Sequence, residues 1–345
     1  MMDYLKKVKN VKQIADKKMR ERLRTLNYSN DVLRAFDLVY VPHSESDIIP
    51  IGMVLMDIAW QISGNIPSEA ELANAFFPIQ CFFLGTVYQD DLLDSLRTEK
   101  SRNLVDTLGI PTCLIMGNIL YCEGLLSLLE TTSYKDDNKT RGFMDSAERM
   151  VRDIMESEIK RRNYVRKILP SKAFSRMWHR LTPNRACIEI GGILGDSDKE
   201  KVQEMVKIGS NISLTRRITK EISEMYGLRG PLEEKLRNKP SPLPVSLAYE
   251  AGTISEKERI EQSIENLGSL KSIENESETT TENIDILIDV VSKYDSIAAA
   301  LSIQSEIIKE TKGLIHHVAN PEHSDVLNNL LGSEFHNCKE SEKGR

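Results

Sequence analysis

The sequence is poor in the residues that build covalent or metal cross-links. Its 345 residues include five cysteines and six histidines. Cys81, Cys113, Cys122, Cys187 and Cys338 are odd in number, widely scattered and never set as CxxC. That pattern excludes a disulfide framework and a cysteine zinc site, and it points to free thiols in a reducing cytosol. His316 and His317 are adjacent and so point to different helix faces, and no HExxH occurs. A histidine metal centre is therefore not expected. The chain has no basic stripe interleaved with aromatics and carries a net charge of −6, which argues against nucleic acid as a partner. The longest apolar run, IIPIGMVLMDIAWQI from Ile48, is interrupted by Asp57. It reads as a buried helix, and no transmembrane segment is expected. The N-terminal MMDYLKKVKNVKQIADKK is charged throughout and lacks the apolar core of a signal peptide, so a cytoplasmic location is expected.

Alternating runs of β-branched residues are also missing, which removes the main signal for strands. What is present is helical. MVLMDIAWQI, AFFPIQCFFLGTVYQDDLLD, PTCLIMGNILYCEGLLSLLE, NRACIEIGGILG, VQEMVKIGSNISLTRRITKEISEMYG, IDILIDVVSKY and SIAAALSIQSEIIKETKGLIHHV each run long enough to favour helix. Between them TTSYKDDNKTRG reads as a polar loop, GLRGPLEEKLRNKPSPLP as a Gly- and Pro-rich passage and SLKSIENESETTTEN as a polar connection. The clustered glycines of IEIGGILGDSDK follow no strand, so they read as a helix end and not as a dinucleotide loop. Several helices are apolar on nearly every face and belong inside a bundle. The expected architecture is one all-α domain over residues 1–335, built around a central apolar cavity, with a frayed tail at 336–345.

One stretch stands out. FFLGTVYQDDLLDSLRTEK places Asp90, Asp91 and Asp94 near the end of an apolar helix. Asp90 and Asp94 are spaced i, i+4, and Asp91 and Asp94 i, i+3. Like charges at these spacings cost about 0.2–0.5 kcal/mol per pair, and carboxylates at a helix C-terminus lose roughly 0.3–1 kcal/mol more to the helix dipole. A divalent cation reverses the sign of each of these effects, and hard oxygen ligands suit Mg²⁺. The other reading is an exposed acidic helix end capped by Arg97 and Lys100. So apolar a preceding helix favours the metal.

YQDDLLDSLR resembles the first aspartate-rich motif of the trans-polyprenyl diphosphate synthases. LGIPTCLIMGNILYCEGLL is similar to the following helix of that family, with Gly109 and Gly117 at its glycines and Asn118 where an aspartate is usual. IGSNISLTRRITKEISE falls on the second aspartate-rich segment. Gly209 and Asn211 match its approach, Arg217 stands for a Gln, and Lys220, Glu221 and Glu224 stand for its three aspartates. KPSPLPVSLAYE resembles the lysine-threonine-leucine-proline turn. Two departures are clear. SESDIIP replaces a glycine-lysine…arginine-proline element, keeping only Pro50, and Thr98 and Glu99 fall on a pair of arginines. These are the cations with which the family holds isopentenyl diphosphate, so the acceptor is left open.

The resemblance implies an isoprenoid synthase fold and an enzyme that ionises an allylic prenyl diphosphate with Mg²⁺. Asp90, Asp91 and Asp94 would hold the metal, joined by Glu221 and Glu224. Arg97, Arg102, Arg180, Arg217 and Lys220 would hold the diphosphate. For Arg217, Lys220, Glu221 and Glu224 a solvated face with salt bridges is an equal alternative. Gly85 and Thr86, on the face of Asp90, would leave room for a long prenyl tail, with Phe82, Phe83 and Asn118 also placed at the pocket. Close helix packing is the other explanation for small residues there. The expected partners are an allylic prenyl diphosphate, an unknown acceptor and a second copy or a homologue in a dimer. A cyclase-like lyase and a non-catalytic regulatory subunit are the alternatives to prenyl transfer.

Overall fold

A computed structural model describes residues 2–25, 28–44, 48–95, 107–132, 137–180, 182–228, 232–269 and 278–332. Among them are fifteen helices: α1 (Met2–Thr25), α2 (Asn30–Ser44), α3 (Ile48–Gln61), α4 (Glu69–Ser95), α5 (Ile110–Thr132), α6 (Asp137–Asn163), α7 (Ser171–Trp178), α8 (Asn184–Leu194), α9 (Lys199–Met225), α10 (Leu232–Asn238), α11 (Leu243–Ala251), α12 (Ile254–Ser269), α13 (Glu278–Lys293), α14 (Ser296–Val318) and α15 (Pro321–Gly332). The described residues form no strand, as the sequence led us to expect. Two compact units are present. The first comprises Met1–Met155, Thr182–Ser210 and Leu314–Leu330, and the second Glu156–Leu181, Asn211–Gly313 and Leu331–Arg345. The chain of α6, α9 and α14 passes from one unit to the other.

Three sequence expectations change here. The polar TTSYKDDNKTRG is mostly helix, because α6 starts at Asp137, an acidic residue suited to the positive end of the helix dipole. The Gly- and Pro-rich passage contains the short α10, and α13 begins at Glu278 inside the polar connection. The charged N-terminus is the 24-residue α1. Its apolar positions Val8, Val11, Ala15, Met19 and Leu23 recur every three or four residues and are all buried.

In the first unit α3 is buried on every side from Ile51 to Trp60. It packs chiefly on α8. The clustered glycines explain how: a Cβ on Gly191 would lie 2.2 Å from the Met56 carbonyl oxygen, and one on Gly195 2.2 Å from that of Trp60. Only hydrogen fits at either place. Asp57 is fully buried on α3 and accepts hydrogen bonds from Lys7 Nζ (2.8 Å) and Gln61 Nε2 (2.8 Å). The start of α4 is a reciprocal cap. Ser68 N–H donates to Glu71 Oε2 (2.9 Å), and Glu71 N–H to Ser68 Oγ (3.2 Å). α4 and α5 make the most extensive contact in the unit. Both are long and apolar enough to cross a bilayer by length and composition alone, but 78% of the α4 window is buried in the protein. Their shared core joins Phe77, Cys81, Leu84 and Tyr88 to Met116 and Leu120, with Met19, Leu23 and Phe36 from α1 and α2. Each such side chain contributes roughly 1.5–3 kcal/mol.

The second unit has two apolar clusters. One joins the end of α9 to α10–α13 through Met225, Leu236, Val245, Ile264 and Val290. The other gathers Phe174 and Met177 of α7, Leu214 and Ile218 of α9, Leu243 and Ala300. α12 opens on a second reciprocal cap between Thr253 and Glu256, and Glu256 also pairs with Lys293 and Tyr294.

Candidate functional site

Asp90, Asp91 and Asp94 occupy the last two turns of α4, which ends at Ser95 and has no basic residue in its final turn. Their backbone is helical, so the i, i+3 and i, i+4 relations hold. Tyr88 is fully buried, its hydroxyl donating to the Ala35 carbonyl (2.7 Å), and Leu92 is buried between the aspartates. The helix end is thus anchored in the first unit. Three carboxylates on a packed helix end, with no cation in the same turn, fit a hard divalent ion by the chemistry of the donor set. Arg97 and Arg102 lie outside the described residues.

The residues upstream are close-packed. Phe82, Phe83 and Thr86 are buried, and Thr86 Oγ1 donates to the Phe83 carbonyl (2.6 Å) within the same helix. Gly85 faces α5: a Cβ there would meet the Gly117 carbonyl oxygen at 3.2 Å and the Tyr121 ring at 3.3 Å. A glycine at 85 is accounted for by this approach of two helices, the second of the two readings the sequence allowed. Gly124 serves the same contact, with Phe82 Cε1 at 2.9 Å from its would-be Cβ. Asn118 is not brought together with Phe82, Phe83, Gly85 and Thr86; it is exposed on α5.

The two carboxylates in the charged stripe of α9 are buried, and its cations Arg217 and Lys220 are half-buried. Arg217, Lys220, Glu221 and Glu224 do share the stripe, as their spacing requires. Glu221 and Glu224 are 3% and 2% exposed. Arg217 pairs with Glu221 Oε1, and its guanidinium lies 3.7 Å from the centroid of the Trp178 ring. Glu221 Oε2 accepts a hydrogen bond from Leu243 N–H (3.0 Å) in the first turn of α11. Both oxygens of Glu221 are thereby engaged. Burial pushes the Glu221 carboxyl above its usual range, against the pull of Arg217. Glu224 Oε1 is 3.5 Å from Lys235 Nζ. Burial works against its charge too, but Arg217, Lys220, Lys235 and Lys239 together hold it below the usual range. A divalent ion does not fit this pair, because one carboxylate is spent and the other faces ammonium groups. Trp178 and Lys235 belong to this cluster and carried no sequence signal, since neither is near α9 in the chain.

Arg180 is a surface residue, 3.9 Å from Glu156. Asn211 is buried and donates to Thr311 Oγ1 (2.9 Å). The second unit also holds a cleft of about 850 Å³ lined by Arg166, Lys167, Tyr249, Glu250, Glu261 and others. None of the expected site residues lines it, and its walls mix apolar side chains (Val165, Ile168, Pro170, Ile264) with charged ones. No group of three or more His, Cys, Asp or Glu able to hold a metal occurs among the described residues, whose side chains do not include those of Asp90, Asp91 and Asp94.

No family model matches the sequence, and no curated protein does. Solved structures do. A decaprenyl diphosphate synthase from Rhodobacter capsulatus superposes with a TM-score of 0.77 at 13% identity, covering 96% of this chain and 97% of that one. A geranylgeranyl pyrophosphate synthetase from Pyrococcus horikoshii gives 0.74 at 16%, covering 96% and 98%. A polyprenyl synthase from Caulobacter crescentus, complexed with calcium and isoprenyl diphosphate, gives 0.69 at 15%, covering 94% and 96%. The chain therefore has the all-α isoprenoid synthase fold.

Proposed function

We propose that the protein is a cytosolic, Mg²⁺-dependent prenyltransferase that ionises an allylic prenyl diphosphate and passes the prenyl group to an acceptor. The observation that carries this reading is the acidic end of α4, three carboxylates in two turns of a helix anchored by buried Tyr88 and Leu92. The fold likeness supports it, as does the calcium and isoprenyl diphosphate in one structural neighbour. When bound, the metal would neutralise charge growing on the departing diphosphate. Asp90, Asp91 and Asp94 would hold it. Arg97 and Arg102, shortly beyond the helix end in the chain, would add charge-assisted hydrogen bonds to the diphosphate.

The test is to give the purified protein Mg²⁺ and a set of allylic diphosphates, with and without isopentenyl diphosphate, and to follow pyrophosphate and products. Longer diphosphates mean elongation. Hydrocarbons or alcohols formed without a co-substrate mean a cyclase-like lyase. The engaged carboxylates of α9 favour a second reading, a non-catalytic subunit of a prenyl diphosphate synthase. Absence of turnover alone, with activity restored by a homologue, would establish it.

Self-association is part of the proposal. Pro111, Ile115, Asn118, Cys122, Leu125 and Leu129 all lie exposed on α5 at alternating intervals of four and three residues. That is the spacing of a helix seam, and a single polar Asn within such a seam fixes register. Leu125→Asp is expected to shift the protein from dimer to monomer in sedimentation; an unchanged mass would remove α5 from the interface.

A further inference from the structure

The resemblance places a second metal-binding cluster on α9, yet Glu221 is already in use and Glu224, whose Oε1 accepts no hydrogen bond, faces the Lys235 ammonium instead. Glu221 spends one oxygen on Arg217 and the other on the Leu243 N–H at 3.0 Å. Arg217 is held from its other side by Trp178, 3.7 Å from the ring centroid. Glu224 is buried with Lys235 at 3.5 Å. A divalent ion arriving here would have to displace a tethered cation from a buried carboxylate, leave Arg217 without its counter-ion and approach Lys235. Each step is opposed by electrostatics that burial strengthens.

We infer that Arg217 takes the place of a divalent ion on α9, so that the Glu221–Glu224 cluster is neutralised from within, holds no metal, and fixes the first turn of α11 to α9. The inference rests on the proposed function only for where a metal does bind, on Asp90, Asp91 and Asp94. Arg217 is a positioning residue in this scheme. Its charge is permanent at any workable pH, so the cluster stays assembled whether or not metal is supplied. The protein would then load divalent ions through one carboxylate set and not two.

Manganese can be counted directly by electron paramagnetic resonance. Mn²⁺ is titrated into the full-length protein, with and without inorganic pyrophosphate, for the wild type, Glu224→Gln and the double variant Asp90→Asn/Asp94→Asn. The expected result is the same ion count for wild type and Glu224→Gln, and a lower count for the aspartate variant. Fewer ions bound by Glu224→Gln, with its melting temperature preserved, overturns the inference. The melting temperature of the aspartate variant gives a second measurement. It should not respond to millimolar Mn²⁺; a rise of several degrees that Glu224→Gln abolishes also overturns it. An aspartate variant that keeps the full count while Glu224→Gln does too, or a wild type that binds no Mn²⁺, sinks the proposed metal role of α4 and leaves the reading of α9 standing.

Discussion

The ends of α4 and α9 both carry carboxylates, and they meet the same electrostatic problem in opposite ways. On α4 three aspartates close a helix with no basic residue in its last turn. On α9 Glu221 pairs with Arg217, and Glu224 lies in the field of Arg217, Lys220, Lys235 and Lys239. On the proposed function the first arrangement takes its cation from outside. The second draws its cations from the chain itself. Carboxylate spacing alone does not mark a metal site, because an arginine one turn away can satisfy the same oxygens.

The comparison can be broken at several points. Asp90→Asn and Asp94→Asn are each expected to lower pyrophosphate release at least about a thousandfold, or ~4 kcal/mol of barrier, with folding intact by circular dichroism. A small loss would place α4 with α9 as a structural helix end. Arg217→Gln should instead act on stability, by roughly 3 kcal/mol in urea unfolding, because it leaves a buried carboxylate without its cation. If the melt is unchanged, Arg217 is not the counter-ion of Glu221. Trp178→Leu should cost about 1 kcal/mol through the lost cation–π contact, partly offset because the buried indole N–H has no hydrogen-bond partner. The smallest effect concerns Glu256, whose carboxyl is held far below its usual range by Lys293, Tyr294 and Thr253. Its contribution is present above the unfolded-state value, roughly pH 4.3, and fades as the pH falls below that. The melting temperatures of Glu256→Gln and wild type should therefore differ at pH 7, with a gap that starts to narrow near pH 4 and goes on narrowing as the pH is lowered further; a constant gap would show that Glu256 acts by packing alone.

Much of the fold was legible because core helices leave a periodic trace. The runs that became α3, α4, α5 and α9 were plain from their apolar spacing. α1 was not singled out, although Val8, Val11, Ala15, Met19 and Leu23 carry the same trace, because the dense lysines around them masked it. The boundary of α6 was misread because Asp137 and its polar neighbours suit a loop and a helix start equally. At the candidate site, the α4 aspartates draw notice from sequence since their cost is local to one helix. The state of α9 could not be read that way. Arg217, Glu221 and Glu224 share a stripe in either reading, and what separates a solvated face from a buried, self-paired one is Trp178, Lys235 and Leu243, supplied by other elements. Gly85 shows the same limit: glycine is equally at home beside a void or a neighbouring backbone, and only Gly117 across the gap decides.

The backbone contact of α8 with α3 has a consequence for motion. With carbonyls of Met56 and Trp60 set directly against Gly191 and Gly195, neither helix can slide or tilt without a collision along its own main chain. The amides of this pair should be among the last to exchange with deuterated solvent, opening only when the whole unit opens. Breathing that admits a substrate would then have to come from elsewhere, leaving this pair as the stationary frame against which other helices move.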